Sequence, residues 1–452
     1  MLLPFAFAGQ IRRLPYALWS FGIFFSQHLV ILAAARAWHQ PLKQDWWFYL
    51  VPLRSLASIG LAPAGMLILA LAYMLIAAWG LSALAFRRAA DADIGGWIAA
   101  CAIAPIIQIF AILLLCFAPP RMPADRQRGA EEVETSDRSR WPAAAMGAIA
   151  GMGLTLLAVA TGALLFGTYG FGMFVLSPFV IGIATAYIAN RKTDIGGSRT
   201  ALLVAGAAAL GSIALVVTAL EGLLCIAMAS PLGLGVALVG GVLGRAIALS
   251  TRRSPRQMIP GLALLPLVFA IERAFPATVR FDTYQTIEVA APAEAVWLSI
   301  IRMEPIHEPP PLPFRLGMAY PLSGEILGDG VDAVRRGEFS TGTALERVTE
   351  WIPNRKLAFV VFEDVPAMRE LSPYRRVHAP HVVGYFRTTS TSFELSEQSN
   401  GRTEIIERTS HELRLDPVLY WLPMVRWVVH ENNARVLAHI RGQAERAFLA
   451  AN

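Results

Sequence analysis

Over roughly the first three-fifths of the chain, long uninterrupted runs of apolar residues alternate with short polar segments. From Phe281 onward the apolar positions recur every second residue, and charges are frequent again. A membrane helix needs about 20 mostly apolar residues to cross a hydrocarbon core of about 30 Å. Eight runs meet that length: Leu14–Ala35, Pro63–Phe86, Trp97–Ala118, Pro142–Phe166, Phe171–Ala189, Ala201–Leu220, Leu223–Leu249 and Ile259–Phe275. Ala201–Leu220 carries no charge at all, and a central Arg or Asp would cost about 2.5–3.5 kcal/mol to insert. The stretch Trp46–Ile59 differs, because Trp46-Trp47-Phe48-Tyr49 has the composition of an interfacial aromatic belt and Arg54 opposes a full crossing. It is expected to lie at the interface or to re-enter the membrane.

The expected order is therefore a multi-pass α-helical membrane bundle followed by a separate water-soluble α+β domain. Residues 1–120 form one membrane module, 121–141 a polar linker with mixed charge, 142–277 a second helical module and 278–452 the soluble domain. Gly147/Gly151 and Gly240/Gly244 have the spacing of small-residue helix contacts, although Gly is also common in membrane helices for other reasons.

In the last part the period-2 pattern predicts strands at Phe281–Val289, Ala333–Phe339, Ala344–Trp351, Leu357–Glu363, Gly384–Leu395 and Thr403–Leu413. Pro292 marks the start of a helix to Met303, and Pro353-Asn354 and Asn400-Gly401 mark tight turns. His307–Pro313 reads as a proline-rich covering loop. A closing helix starts at Asp416 or Met424 and ends at Leu449, with Val429, Val436, Ile440 and Ala447 at helical spacing. A curved antiparallel sheet must bury one face, and a long helix laid across its concave side does so.

Thr286-Ile287-Glu288-Val289 with Ala291-Pro292-Ala293-Glu294-Ala295-Val296-Trp297 resembles the opening of the START-like, or SRPBCC, helix-grip superfamily, which includes polyketide cyclase/dehydrase-type proteins. Arg347–Trp351 followed by Leu357-Ala358-Phe359, and the closing Arg435–Ile440, resemble it too, so the likeness spans roughly residues 280–450. It implies an antiparallel sheet wrapped on the last helix and an apolar ligand between them; only some members of that superfamily are enzymes. Separately, Phe7-x-Gly9 with Arg13 and Trp19, then Phe86-Arg87-Arg88 with Asp91 and Trp97, is similar to a family of small bacterial inner-membrane proteins of unknown function. That family's pattern has an Arg where Gln10 stands and Leu-His where Ala89-Ala90 stand.

The composition agrees with this division: 452 residues are 55% hydrophobic and 16% charged, against about 25% charged in ordinary soluble domains. The net charge of +6 comes largely from arginines between apolar runs, which suits anionic lipid headgroups. No basic stripe with interleaved aromatics is present, so nucleic acid is a poor candidate partner. Membrane lipids and a hydrophobic small molecule are the expected partners, and the bacterial inner membrane the expected location. Positive loops at 119–141, 190–199 and 250–258 ask to be cytoplasmic, but so do Arg12-Arg13 and Arg87-Arg88 on the opposite side of eight crossings. The side of the soluble domain is left open.

The histidines show no HExxH or other metal-ligand spacing, and nothing calls for a metal or cofactor. Alternation puts Glu346, Val348 and Glu350 on one strand face; buried, these carboxylates would have raised pKa values, but a solvated face is the expectation, since one sheet face is normally polar. Candidate ligand-contacting residues are Glu338, Glu346, Tyr374, His381, Tyr385, His430 and His439. Within the apolar runs Glu221, Arg245 and Glu272 are the unusual charges, and intramembrane charge marks a candidate site. Three functions remain: binding of a hydrophobic molecule by a membrane-tethered domain, cyclase/dehydrase-type acid–base chemistry in the same cavity, or transport through the bundle. Facing buried titratable groups would favour chemistry, and a polar path joining Glu221 to Arg245 would favour transport.

Overall fold

The computed structural model describes the chain apart from residues 1–3, 6–8, 43, 51, 56–63, 93, 95–97, 100–101, 103–107, 121–139, 251–263, 277, 375–381 and 452. It forms two compact units, 1–221 with 226–276, and 222–225 with 277–452.

The first unit is helical: α1 (Arg13–Ala37), α2 (Trp46–Leu50), α3 (Pro52–Ser55), α4 (Ala64–Ala92), α5 (Gln108–Phe117), α6 (Arg140–Val159), α7 (Ser177–Asn190), α8 (Gly197–Val217), α9 (Leu223–Ser250) and α10 (Leu264–Ala274). Two π-helical turns, Ala160–Phe166 and Gly172–Leu176, continue α6 and lead into α7. Among the described residues five stretches are long and apolar enough to cross a membrane: Arg13–Ala37, Ala143–Phe166, Gly172–Asn190, Gly197–Val217 and Leu223–Leu249. The expected eight spans are not supported. Among the described residues the helix within 97–118 covers 10 residues and that within 259–275 covers 11. The run 63–86 lies in α4. The Trp46–Ile59 stretch holds the two short helices α2 and α3. The polar linker at 121–141 and the positive loop at 250–258 lie almost wholly outside the described residues.

Within this unit the apolar window of α7 is 78% buried, against 22–33% for the other four, so α7 is the central helix and the rest turn apolar faces outward. Glycine lets the backbones meet. A Cβ at Gly240 or Gly244 would run into the carbonyls of Phe179 and Ile183, and one at Gly182 into that of Ala237. A Cβ at Gly147 would lie 2.8 Å from the Thr185 carbonyl oxygen. The small-residue spacing in α6 and α9 therefore reflects close packing. At the N-terminal end, the Arg13 Nε donates to the Ala118 carbonyl at 2.9 Å and the Arg88 Nε to that of Leu115 at 3.0 Å. Arg88 also reaches the Ala118 carbonyl and pairs with Asp91. Two arginines thus satisfy carbonyls left open at the end of α5.

The second unit contains β1 (Val279–Val289), α11 (Ala293–Ile301), β2 (Arg302–Met303), α12 (Leu312–Arg315), β3 (Pro321–Leu327), β4 (Val334–Phe339), β5 (Gly342–Ile352), β6 (Lys356–Glu363), β7 (Phe386–Glu397), β8 (Thr403–Leu413) and α13 (Val418–Ala451). The strands form one antiparallel sheet in the order β1-β8-β7-β6-β5-β4-β3-β2. Register shifts in β3, β5 and β7 increase its curl. Asn354 and Gly401, with φ of 61° and 75°, make the tight turns at Pro353-Asn354 and Asn400-Gly401. Pro292 is the N-cap of α11, one residue earlier than a first-turn proline. Two strands, β2 and β3, escaped the pattern.

Helix α13 packs against β1 and α11 along the hollow side of the sheet. Its buried set, Val429, Asn433, Leu437, Ile440 and Ala444, steps by three or four residues. Val436 is half-buried and Ala447 exposed, so the inner face lies about one residue away from the sequence estimate. Leu437 and Ile440 meet Val348, Leu357, Phe359, Phe393, Leu395 and Ile405 in one apolar cluster. Each such fully buried side chain contributes about 1.5–3 kcal/mol.

Candidate functional site

The hollow face of the sheet is apolar at one end and polar at the other. Along β8 the inward positions are Thr403, Ile405, Glu407, Thr409, His411 and Leu413, all buried. The cross-strand partners carry the same face onward: Thr283 opposite Thr409, Thr391 opposite Thr409 on the other side, Phe359 opposite Thr391, and Arg335 opposite Glu346. At the Val289–Ile405–Leu395 end the inward side chains are closed off. At the other end Phe339, Phe386 and Thr388, also inward by register, are only half-buried.

Four titratable groups lie on this face. Arg335 pairs with Glu346, and its guanidinium stacks over the Phe359 ring at 4.7 Å. Two glycines make room for it, since a Cβ at Gly324 would lie 2.6 Å from Arg335 Nη2 and one at Gly337 3.3 Å from Nη1. Burial raises the pKa of Glu346, against the pull of Arg335. Glu407 is 3% exposed, and among the described residues its Oε2 has no hydrogen-bond partner. Burial pushes its pKa up to about 8, with Arg335 opposing, so it is mostly a neutral acid at pH 7. His411 is 3% exposed, and burial holds its pKa down at about 4, so it is neutral.

A hydroxyl and amide network fixes the region. Thr409 Oγ1 lies 2.8 Å from His411 Nε2 and 2.6 Å from Thr283 Oγ1, and accepts from Asn433 Nδ2 of α13 at 3.1 Å. His411 Nδ1 lies 3.2 Å from the Thr388 hydroxyl, and the ring sits between Phe281 and Phe386 with centroids at 5.1 and 5.5 Å. Asp364 takes the Thr388 and Val365 amide N–H groups at 3.0 and 2.8 Å, and burial raises its pKa. Such a set can donate and accept hydrogen bonds from neutral groups in a poorly hydrated space.

Of the sequence candidates, Glu346 belongs to this face, and the expectation that it is solvated is overturned. Glu350 leaves the face because the register shifts between Val348 and Glu350; it is partly exposed and pairs with Lys356 at 3.0 Å. Glu338 is on the other face of β4, where it accepts from the Thr343 hydroxyl at 2.9–3.0 Å. There it lines a groove of about 860 Å³ with Arg302, Glu325 and Phe448. Tyr374 is exposed. His381 lies outside the described residues. Tyr385 is half-buried, and burial raises its pKa. His430 is exposed and holds Gln285 Nε2 at 2.8 Å, while His439 is half-buried and its Nε2 has no partner among the described residues. Glu407 and His411 were missed as site residues. The available signal was the β8 alternation, which places both in the Thr403–Leu413 set beside Ile405.

In the helical unit Glu221 accepts from the Tyr169 hydroxyl at 2.8 Å, and Glu272 from the Gly172 N–H at 2.7 Å. Glu221 thus meets the short segment between the two π-helical turns, and Glu272 the first residue of the second turn. Arg245 instead pairs with Asp194 at 2.7 Å, so these contacts do not join it to Glu221.

Residues 4–126 match the family model described as protein of unknown function (DUF805), roughly a quarter of the chain. Curated protein sequences give no match. Among solved structures, Zhui aromatase/cyclase from Streptomyces sp. R1128 is 20% identical, with a TM-score of 0.25, over 37% of this chain and 95% of that one. Norcoclaurine synthase from Thalictrum flavum, in complex with dopamine and hydroxybenzaldehyde, is 14% identical, with a TM-score of 0.24, over 39% and 90%. At such scores these neighbours carry no weight, and the helix-grip architecture rests on the chain's own strand order and closing helix.

Proposed function

We propose that the C-terminal unit binds a hydrophobic small molecule or lipid between its sheet and α13, and that the helical unit anchors it in a bacterial inner membrane as a multi-pass protein. The observation that carries this reading is the inner face itself. It runs from a packed apolar cluster with Phe359, Phe393 and Ile405, through a buried polar stretch at Glu407, Thr409 and His411, to the half-buried Phe339, Phe386 and Thr388. That is the division of a pocket that takes an apolar body and orients it by a few polar contacts. Extraction of the purified full-length chain with organic solvent, followed by mass spectrometry, tests it. A defined apolar species beyond bulk lipid is expected, and it should be lost in Thr391→Trp, which fills the inner face. An extract identical in the two proteins contradicts the reading.

Acid–base chemistry of cyclase or dehydrase type is the second reading. Glu407 favours it, because a buried acid with a pKa near the working pH is suited to proton transfer. Transport receives no comparable support, as Glu221 and Arg245 have different partners.

A further inference from the structure

The inner face has two buried polar atoms for which the described residues supply no partner: Glu407 Oε2 and Arg335 Nε. The neighbouring groups are already engaged. The Thr409 hydroxyl serves His411, Thr283 and Asn433, and Arg335 gives a terminal nitrogen to Glu346. A carboxylate desolvated without a donor costs several kcal/mol, so Glu407 is stable here as a carboxylic acid, whose O–H donates. Arg335 Nε–H is a donor in any state. The polar end therefore offers two donors in want of an acceptor. Its charge is already balanced, because Arg335 is matched by Glu346 and His411 is neutral. An incoming anion would leave one negative charge uncompensated in a buried space.

Resting on the binding reading above, we infer that the site selects a ligand whose polar end is an uncharged oxygen acceptor, such as a ketone, ester or amide carbonyl, over the carboxylate of the same skeleton. The apolar remainder lies toward Phe339 and Phe386, the inward apolar side chains that are only half-buried. The carboxylate would pair the donors but bury an uncompensated charge, whereas a hydrocarbon of the same skeleton would leave the buried donors unpaired.

The test uses the full-length chain in detergent at pH 7 and three matched probes: 2-acetylnaphthalene, 2-naphthoate and 2-ethylnaphthalene. Dissociation constants come from fluorescence titration corrected for micelle partitioning. The ketone is expected to bind at least tenfold tighter than either the carboxylate or the hydrocarbon. Glu407→Leu, which leaves only the Arg335 Nε–H, should reduce the preference of ketone over hydrocarbon at least threefold while the hydrocarbon still binds. Glu407→Gln, which keeps a donor and nearly the same shape, should retain most of the preference and guards against misfolding of the leucine variant. Equal binding of all three probes, or tighter binding of the carboxylate, overturns the inference but leaves the binding reading standing. Binding of none of them overturns the binding reading itself.

Discussion

Replacing Glu407 by Gln should stabilise the C-terminal unit, and by an amount that grows with pH. In the unfolded chain the carboxyl ionises near 4.5, whereas in the folded unit burial delays this to about 8. Stability from this group is complete below 4.5 and is lost as pH rises toward 8, because the unfolded state gives up its proton first. Each pH unit in that interval costs about 1.4 kcal/mol, so at pH 7.5 the wild-type unit has lost on the order of 4 kcal/mol. His411 acts in the opposite sense at lower pH. Its pKa is lowered from 6.5 to about 4, so its contribution is lost only as pH falls below 6.5. The window between 6.5 and 8 therefore isolates Glu407, and subtracting the variant cancels other groups. Over that window the stability difference should widen by about 1.6 kcal/mol, roughly 16-fold in an opening equilibrium, because the folded carboxyl itself starts to ionise near 8. Hydrogen exchange of the β8 amides in the full-length protein, followed by mass spectrometry, reads it. A constant offset between wild type and variant across pH 6.5–8 would refute the claim that Glu407 is held neutral by burial.

Other outcomes follow from single contacts. Glu346→Leu leaves Arg335 without its buried counter-charge and should cost about 3–5 kcal/mol in the same exchange measurement, with Arg335→Met in the same protein restoring most of it. Leu437→Ala removes a fully buried side chain from the apolar end and should cost about 2–5 kcal/mol, with no change in the pH dependence assigned to Glu407. Arg88→Leu removes donors from the end of α5 and leaves Asp91 without its partner; a lower melting temperature in detergent is expected, whereas Arg245→Leu, at a partly exposed pair, should change it little. Gly240→Leu should break the α7–α9 contact and abolish a well-folded, monodisperse preparation.

Much of the C-terminal unit was legible because a half-buried strand writes its period into the sequence. Thr403–Leu413 was located without error, and the turns at Asn354 and Gly401 fell where Asn and Gly permit a positive φ. Strand β3 was not legible: Pro321, Ser323 and Gly324 weaken the strand signal, and Gly324 is present to admit Arg335, a reason that lies in the tertiary structure. The same limit applies to the site. Glu346 and Glu350 look equivalent by alternation, and a register shift between them sends one to the interior and one to water. Glu407 shares its parity with Ile405 while Glu404 and Glu412 lie on the other face, but in a strand rich in charge that alternation alone does not say which face is turned inward. The expected count of eight spans is not supported: among the described residues five stretches are long and apolar enough to cross a membrane.

The most direct test is to place a photoreactive benzoylphenylalanine at Thr391, which faces Phe359 and Thr409 across the sheet, in the full-length protein in its native membrane. Irradiation followed by mass spectrometry of the peptide containing residue 391 should give an adduct with a discrete apolar small molecule, and that adduct should diminish when 2-acetylnaphthalene is added. If every adduct instead joins residue 391 to α13, with none to a small molecule, the inner face is a closed core and the proposed binding site does not exist.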